Sequence, residues 1–234
     1  VTLEDHFDRS LELEHHLEAV GKLDLLEEVR AIADLADFHY VRQKEPLGFG
    51  HAVLIAKDHI GDDAFFVMVG DEIVPEPQGA EPELLLELAA VHDRTGGSVI
   101  VVKEVADEDV SSYGIVAVED MAEGVGRLTD MVEKPAVGDA PSRLGSRGRY
   151  LFTPGIFDAI ERTPRGVGGE IQLTDAIKLL AAEEPVHVYV HDGPIYDVGK
   201  KLDYLRTTIE LALRRDDLGA QLMEFLREVV ARGS

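Results

Sequence analysis

The chain has 234 residues, enough to bury a substantial core as one large domain or a domain with a small appendage. Its formal net charge of −23 disfavours general binding of nucleic acid or anionic membrane, because the long-range field repels both. It has no cysteines, which excludes disulfides and thiolate metal sites, and no apolar run approaches the roughly 20 residues of a membrane span. The first residues do not resemble a signal peptide, so we expect a cytoplasmic protein.

The first predicted elements are amphipathic helices at residues 9–21 and 23–33 and a short β-rich segment at residues 38–42. Gln43 then leads into a loop with Gly48 and Gly50, and a helix begins near Gly50. Glycines let the backbone approach a flat ligand, and a glutamine offers both a donor and an acceptor, a combination that can recognise a pyrimidine edge. A plain turn before a helix is the alternative.

A continuous apolar run at residues 64–69 indicates a central strand buried on both faces. Asp71 falls just past its carboxyl end, where open α/β sheets bind ligands. A carboxylate there is a natural Mg²⁺ ligand beside nucleotide phosphates, although an ordinary loop aspartate is the alternative. A helix at residues 81–91 and a buried strand at residues 98–102 follow, and this order indicates βαβ units.

A hairpin is predicted from strands at residues 111–118 and 127–132, and Gly114 in the first strand would let a ligand lie against the backbone. The second strand leads to adjacent Glu133 and Lys134, whose side chains point to opposite faces unless the strand ends there. A carboxylate that accepts from sugar hydroxyls, beside an ammonium that holds a phosphate, suits a sugar phosphate. A solvated strand end is the alternative.

The remaining predicted elements are a strand at residues 148–152, a helix at 154–161, a glycine loop at 165–169, a helix at 176–182, an edge strand at 186–191 and two amphipathic terminal helices beginning at residues 201 and 220. The terminal helices would pack on the body of the protein or on a partner subunit.

Several short segments follow one another in a recognisable order. They are Glu-Asp-His-Phe-Asp-Arg-Ser at 4–10, Tyr-Val-Arg-Gln at 40–43, Gly-Phe-Gly-His-Ala-Val at 48–53, Gly-Asp at 70–71, Ser-Tyr-Gly at 112–114, Val-Glu-Lys-Pro at 132–135, Gly-Arg-Tyr at 148–150, Gly-Gly-Glu-Ile-Gln-Leu-Thr-Asp at 168–175 and Tyr-Asp-Val-Gly at 196–199. In this order the chain resembles the bacterial UTP–glucose-1-phosphate uridylyltransferases over nearly its whole length.

The resemblance implies an α/β, Rossmann-like nucleotidyltransferase fold with a mostly parallel central sheet, an inserted β-hairpin region and C-terminal helices. It places a nucleotidyltransferase domain, incomplete at its N-terminus, at residues 1–199. The C-terminal helices at residues 200–234 become a candidate oligomer contact, and the family implies a homo-oligomer, a dimer or a tetramer.

The implied reaction is attack of the phosphate of glucose 1-phosphate on the α-phosphorus of UTP, which releases pyrophosphate. Lys134 and Asp71 are the implied catalytic residues: Lys134 would hold the sugar phosphate, and Asp71 would hold the Mg²⁺ cofactor with Asp197 as a second ligand. Positioning and charge neutralisation would dominate such a reaction.

The resemblance also assigns the substrate contacts. Gln43 and Gly48 would contact the uracil of UTP, and Gly114 and Glu133 would bind hydroxyls of glucose. The nearest alternative within the enzyme class is thymidylyl transfer to glucose 1-phosphate. The alternative from another class is a non-catalytic fragment that binds a sugar phosphate.

The chain departs from the family pattern at several positions, among them Val198 and Lys200, which flank Gly199 differently from the commonest form, a mild change. The glycine-rich Gly-x-Gly-Thr-Arg loop and the Pro-Lys-Glu segment that grip the nucleotide are absent. We therefore expect the 234 residues to be part of a longer polypeptide, with a natural relative that has no activity as the alternative. Glu72 follows Asp71 where another acidic or a small apolar residue is usual, a change that function could survive. Residues 142–147 include two arginines where the family is more apolar, which we expect to alter the sugar pocket or the packing of this strand.

Overall fold

The computed structural model describes residues 3–76 and 81–233, and the chain divides into two compact units, Val1–Lys44 and Glu45–Ser234. The helices of the first unit are α1 (Leu3–Phe7), α2 (Leu11–Ala19) and α3 (Leu23–Ala33). The helices predicted at residues 9–21 and 23–33 are therefore confirmed as α2 and α3.

The first unit is organised around the carboxylate of Glu14, whose side chain is only 2% exposed. Arg9 donates from Nη2 to Glu14 Oε2 at 2.6 Å, and Arg30 donates from Nε to the same oxygen at 2.9 Å. These hydrogen bonds lower the pKa of Glu14 from its ordinary value of 4.5 to about 2, because they favour the charged form. Two arginines thus tie the start of α2 to α3.

The β-rich segment predicted at residues 38–42 is wrong, because residues 36–43 lie within the described part of the chain and form no strand. The aromatic side chains pack locally instead: the rings of Phe7 and Phe38 stack at 4.3 Å, and those of Phe38 and Tyr40 at 6.4 Å. Aromatic residues favour strands only where a neighbouring strand gives them a surface to pack on.

The second unit contains the sheet. Its strands are β1 (Phe65–Met68), β2 (Glu72–Ile73), β3 (Ser98–Glu104), β4 (Gly114–Ala122), β5 (Val125–Glu133), β6 (Leu144–Phe152), β7 (Val186–Val190) and β8 (Tyr196–Asp197). Its helices are α4 (Phe49–Leu54), α5 (Lys57–Ile60), α6 (Glu83–Thr95), α7 (Gly155–Arg162), α8 (Leu173–Ala181), α9 (Lys201–Leu213) and α10 (Gly219–Arg232). Among these described helices, none is both long and apolar enough to cross a membrane.

The main sheet has the order β1-β6-β3-β7-β5-β4, and the short strands β2 and β8 form a separate ladder. The α/β class, the hairpin β4–β5 and the C-terminal helices are as expected, but the sheet is mixed rather than mostly parallel. Among the described strands only β3 and β7 pair in parallel, because β6 lies antiparallel between β1 and β3 and β5 lies antiparallel to β7. Apolar runs indicate burial of a strand and not its direction.

Two apolar layers cover the main sheet. Ile100 and Val102 of β3 join the core cluster that includes residues of α7 and α8, whereas Val99 and Val101 join the cluster that includes residues of α6. This alternation follows from the two-residue period of a strand. The burial of β3 on both faces, predicted from its sequence, is confirmed.

The sequence misplaced two strands within the sheet. β1, predicted to be central, lies at one end of the described strand order and exposes Phe66 by 38% and Met68 by 56%. β7, predicted to be an edge strand, pairs with both β3 and β5. The predicted burial of β1 on both faces is therefore also wrong, because an apolar run records residue types and not what covers them. The alternation in β7 does not identify its neighbours either, because an edge is defined by backbone hydrogen bonds.

We expect Glu14→Gln to destabilise the protein at neutral pH, because the neutral amide loses the charge that Arg9 and Arg30 stabilise. The pKa of Glu14 is lowered on folding, so its contribution is complete above about pH 4.5 and disappears as the pH falls towards 2. Urea unfolding between pH 7 and pH 2.5 should therefore show a stability difference from wild type that shrinks with acidity. Glu12→Gln, at an exposed position of the same helix, is the control. A pH-independent difference for Glu14→Gln would contradict this account.

Candidate active site

A cleft with a volume of about 290 Å³ opens where the hairpin β4–β5 meets the start of α8. We call it the Glu133 cleft, and its lining includes Phe49, Gly114, Glu133, Lys134, Glu170, Gln172 and Thr174. Because β4 begins and β5 ends at the same edge of the sheet, Gly114 and Glu133 are paired residues in the ladder. The structure therefore brings together three of the predicted site residues: Gly114, Glu133 and Lys134.

Glu133 and Lys134 both line this cleft because the strand ends between them. β5 stops at Glu133, and Lys134 has φ = 46°, a left-handed conformation that is uncommon for a residue with a side chain. The Lys134 N–H donates to the carbonyl of Tyr113 at 3.1 Å. Lys134 Nζ lies 3.2 Å from Glu133 Oε1, and the lysine side chain remains 60% exposed. The turn thus places a carboxylate and an ammonium side by side.

Gly114 has no room for a side chain. A β-carbon there would lie 2.8 Å from Thr174 Cγ2, 2.9 Å from Met131 Cε and 3.1 Å from Ser146 Oγ. The backbone of β4 is therefore in close contact with α8 and β6 at the wall of the Glu133 cleft.

Gly48 is fixed by a loop that also borders the Glu133 cleft. Its φ of 95° is left-handed, and a β-carbon there would lie 2.7 Å from Glu170 Cβ. The Ile171 N–H donates to the carbonyl of Leu47 at 2.7 Å, so the Gly48 segment lies against the glycine loop that precedes α8. Gln43 belongs to the other unit, Val1–Lys44, where its side chain is half-buried.

Asp71 and Asp197 lie close to each other at a second place in the same unit. Asp71 occupies the turn between β1 and β2, just past the end of β1 as predicted, and Asp197 ends β8. The Val198 N–H donates to the carbonyl of Asp71 at 2.8 Å. The position that a β-carbon would have at Gly199 lies 3.3 Å from Asp71 Oδ2 and 3.1 Å from Asp197 Oδ1. Asp197 Oδ1 also accepts from the Gly199 N–H at 2.9 Å, so both carboxylates lie beside Gly199.

The donor set at Gly199 suits one kind of cation. Mg²⁺ is commonly held by one or two carboxylates together with substrate phosphates and water, and Asp71 and Asp197 supply two such oxygens. Within residues 3–76 and 81–233, no group of three or more His, Asp or Glu side chains is arranged to hold a metal by itself. The pair thus fits a metal that arrives with a phosphorylated substrate better than a permanently bound ion.

Glu72 follows Asp71 at the start of β2, and its side chain reaches β6 of the main sheet. That side chain is only 9% exposed. Its Oε2 accepts from the Gly148 N–H at 2.7 Å, its Oε1 lies 3.1 Å from Arg147 Nε, and its carbonyl accepts from Arg149 Nη2 at 2.6 Å. Burial raises the pKa of Glu72, and the charge of Arg147 and the Gly148 N–H oppose that shift. Burial likewise lowers the pKa of Arg149, against the charges of Glu72 and Asp71.

Two features of the site were not identified from the sequence. The hydroxyl of Thr174 lines the Glu133 cleft region and is buried without a hydrogen-bond partner among the described residues. The Gly-Gly-Glu-Ile-Gln-Leu-Thr-Asp run contained it, but nothing in that run singles out the threonine. The ion pair between Glu72 and Arg147 was also missed, because it joins residues that are distant in sequence.

Comparison with known proteins identifies the family. A family model described as nucleotidyl transferase matches residues 8–213. UTP–glucose-1-phosphate uridylyltransferase of Bacillus subtilis (strain 168) is 46% identical over 227 residues, which cover 96% of this chain and 75% of the relative. The chain belongs to the UTP–glucose-1-phosphate uridylyltransferase family. The resemblance seen in the sequence is thereby confirmed, and the chain is a nucleotidyltransferase.

Solved structures of this family have the same fold. UTP-bound UGPase from Acinetobacter baumannii superimposes with a TM-score of 0.82 at 38% identity, covering 97% of this chain and 78% of that structure. A UDP-glucose pyrophosphorylase complexed with UDP-glucose superimposes with a TM-score of 0.80 at 35% identity, covering 91% and 77%. The nucleotidyltransferase fold expected from the sequence is confirmed, with the correction to the strand directions given above.

We expect Gly114→Ala to destabilise the protein by about 1–3 kcal/mol, because the added methyl group would enter a wall that is already closely packed. Gly138→Ala is the control, since a β-carbon at Gly138 would meet no atom within 4 Å. It should change the free energy of unfolding by no more than about 0.5 kcal/mol. Urea unfolding of both variants measures the difference in the free energy of unfolding. Equal values for the two variants would contradict this account, because they would show that the neighbours of Gly114 can move to accommodate a methyl group.

Proposed function

We propose that this chain transfers the uridylyl group of UTP to glucose 1-phosphate, giving UDP-glucose and pyrophosphate. The observation that carries the proposal is the adjacent pair Glu133 and Lys134 in a cleft of a chain whose family relatives are named for this reaction. A carboxylate suits sugar hydroxyls, an exposed ammonium suits a phosphate, and the cleft presents both at one edge of the sheet.

Within the Glu133 cleft we propose that Glu133 accepts hydrogen bonds from glucose hydroxyls and that the backbone at Gly114 lies against the sugar ring. Lys134 is proposed to hold the phosphate of glucose 1-phosphate. Its side chain is exposed, so its ammonium can turn from Glu133 towards an incoming anion. Gln43 and Gly48 are proposed to contact the uracil. The position of Gly48 supports its part in this contact, because it packs against Glu170 and precedes Phe49, and both of these residues line the Glu133 cleft.

We propose that Asp71 and Asp197 hold Mg²⁺ when UTP is bound. The placement of both carboxylates beside Gly199 supports this assignment. A bound divalent cation supplies charge neutralisation at the phosphates of the nucleotide. The cation matters more than usual in this chain, because its net charge of −23 repels both substrates.

The proposed reaction needs no covalent intermediate with the protein. A phosphate oxygen of glucose 1-phosphate forms a bond to the α-phosphorus, and the bond from that phosphorus to the oxygen bridging to the β-phosphorus breaks, so the electron pair leaves with pyrophosphate. The work of the protein is to place the two anions in line and to offset their repulsion. Lys134 would do so at the attacking phosphate.

The division of the chain at residues 199 and 200, an assembly into dimers or tetramers and a cytoplasmic location remain predictions. We propose the C-terminal helices as the contact between subunits. Leu202 and Leu205 of α9 and Phe225 and Val230 of α10 are exposed, and groups of exposed apolar side chains commonly mark interfaces.

We expect Lys134→Ala to raise the KM for glucose 1-phosphate by about 10- to 100-fold, because a hydrogen bond to a charged group contributes about 1.5–3 kcal/mol. We expect Asp71→Asn to lower kcat by about 100-fold or more, because it removes a proposed metal ligand. The measurement is pyrophosphate release from UTP and glucose 1-phosphate with and without Mg²⁺, on protein of known intact mass.

Lys57→Ala is the matched control, since Lys57 of α5 pairs with Asp158 and Glu161 and is absent from the lining of the Glu133 cleft. Unchanged rates in both Lys134→Ala and Asp71→Asn would refute the site assignment. Faster turnover with dTTP than with UTP would instead support thymidylyl transfer. Binding of glucose 1-phosphate without any turnover by the 234 residues would support the sugar-phosphate-binding fragment.

A further inference from the structure

Asp71 and Asp197 depend on a very short piece of sheet. The ladder between β2 and β8 consists of two residue pairs, Glu72 with Asp197 and Ile73 with Tyr196. An isolated ladder of this length has little stability of its own, so its position must come from contacts with other elements. Glu72 makes the contacts with β6, through its carboxylate to the Gly148 N–H and to Arg147. On the other strand of the ladder, the Tyr196 hydroxyl donates to Glu210 of α9 at 2.7 Å.

Glu72 attaches this ladder to β6. The main-sheet ladder between β1 and β6 reaches the pair Met68 and Arg149, after which the Val69 N–H donates to the Gly148 carbonyl at 3.0 Å. The Glu72 carboxylate then accepts from the Gly148 N–H at 2.7 Å. The Glu72 side chain thus accepts the hydrogen bond that the backbone of the next β1 residue would otherwise accept. This carboxylate is almost wholly buried.

A buried carboxylate needs a partner of opposite charge, and Arg147 supplies it. The arginine is itself only 5% exposed, and its Nε lies 3.1 Å from Glu72 Oε1 as an ion pair without an aligned hydrogen bond. Its Cζ lies 4.7 Å above the centre of the Tyr113 ring. Tyr113 precedes β4, and its carbonyl accepts from the Lys134 N–H. Removal of one member of such a pair leaves an uncompensated buried charge, whereas replacement of both members by neutral groups can be tolerated.

We propose that the buried Glu72–Arg147 ion pair is the positioning element of the proposed metal site: it fixes the β2–β8 ladder on β6 and so holds the carboxylates of Asp71 and Asp197 together. This inference rests on the proposed function for the role of those carboxylates, but not for the attachment of the ladder. Neither Glu72 nor Arg147 is a catalytic residue. Both act through Asp71 and Asp197, and the pair therefore sets metal affinity.

The test uses Arg147→Met, Glu72→Gln and the double variant that carries both changes. Each single variant leaves one buried charge without its partner, whereas the double variant is neutral and keeps an acceptor for the Gly148 N–H. Binding of Mn²⁺ in the presence of UTP, followed by electron paramagnetic resonance, should weaken about tenfold or more in each single variant and return to within about threefold of wild type in the double variant.

Amide hydrogen exchange at Val198 and Gly148 gives a second measurement that needs neither metal nor turnover. Exchange at both amides should accelerate about tenfold in the single variants, because their acceptors are the Asp71 carbonyl and the Glu72 carboxylate. Arg162→Met is the matched control, since it breaks the exposed Arg162–Glu183 pair and should change neither measurement. Arg147→Lys keeps a charge and should fall between wild type and Arg147→Met, which provides a milder variant if the methionine variant folds poorly.

Three outcomes would overturn the proposal. The first is Mn²⁺ affinity in both single variants equal to that of Arg162→Met. The second is faster exchange at Val198 and Gly148 with unchanged Mn²⁺ affinity. The third is a double variant no better than the single variants. Wild-type protein that binds Mn²⁺ no more tightly than Asp71→Asn would refute the proposed metal site itself, and hydrogen exchange would still decide whether the ion pair fixes the ladder.

Discussion

The side chain of Glu72 connects strand β6 to the two-pair ladder that carries Asp71 and Asp197. Its carboxylate accepts from the Gly148 N–H and pairs with Arg147, and its carbonyl accepts from Arg149. Each of these contacts removes charge or backbone groups from water, so each is costly to leave incomplete. The rest of the candidate site contacts the same strand. Ser146 of β6 packs beside Gly114, and Arg147 of β6 lies over the ring of Tyr113, whose carbonyl accepts from the Lys134 N–H. The geometry of the site thus depends on one strand and on the charges buried beside it.

The charge of the chain shapes what such a site must do. A net charge of −23 repels a nucleotide and a sugar phosphate at long range, so attraction has to be local. Solvent and salt screen the distant charges, whereas an ammonium within contact distance of a phosphate is screened little. Lys134 is placed for that purpose at the end of β5, beside a carboxylate suited to sugar hydroxyls. The paired carboxylates of Asp71 and Asp197 complement it, because they can hold a cation that the phosphates also bind.

Much of the fold could be predicted from local patterns. The helices α2 and α3, the buried strand β3 and the hairpin β4–β5 follow from periodicity and turn residues within short stretches. The errors have a common cause. Neither the apolar run of β1, which leaves Phe66 and Met68 exposed, nor the alternation in β7 identifies the neighbours of its strand. The position of a strand in the sheet is set by partners elsewhere in the chain. The strand predicted at residues 38–42 does not form, and Phe38 packs on Phe7 rather than on a neighbouring strand.

The sequence by itself determined the family, the α/β class and the residues worth testing, because glycines with special backbone needs and an adjacent acid and base leave a mark within a few positions. Only the tertiary structure showed that Glu133 and Lys134 face one cleft, that Asp71 and Asp197 lie beside Gly199, and that Glu72 is buried against Arg147. These facts depend on how β5 ends, on how β8 pairs with β2, and on the contact between Glu72 and β6. Contacts between distant segments are determined by the packing of the whole unit, so a local sequence pattern does not predict them.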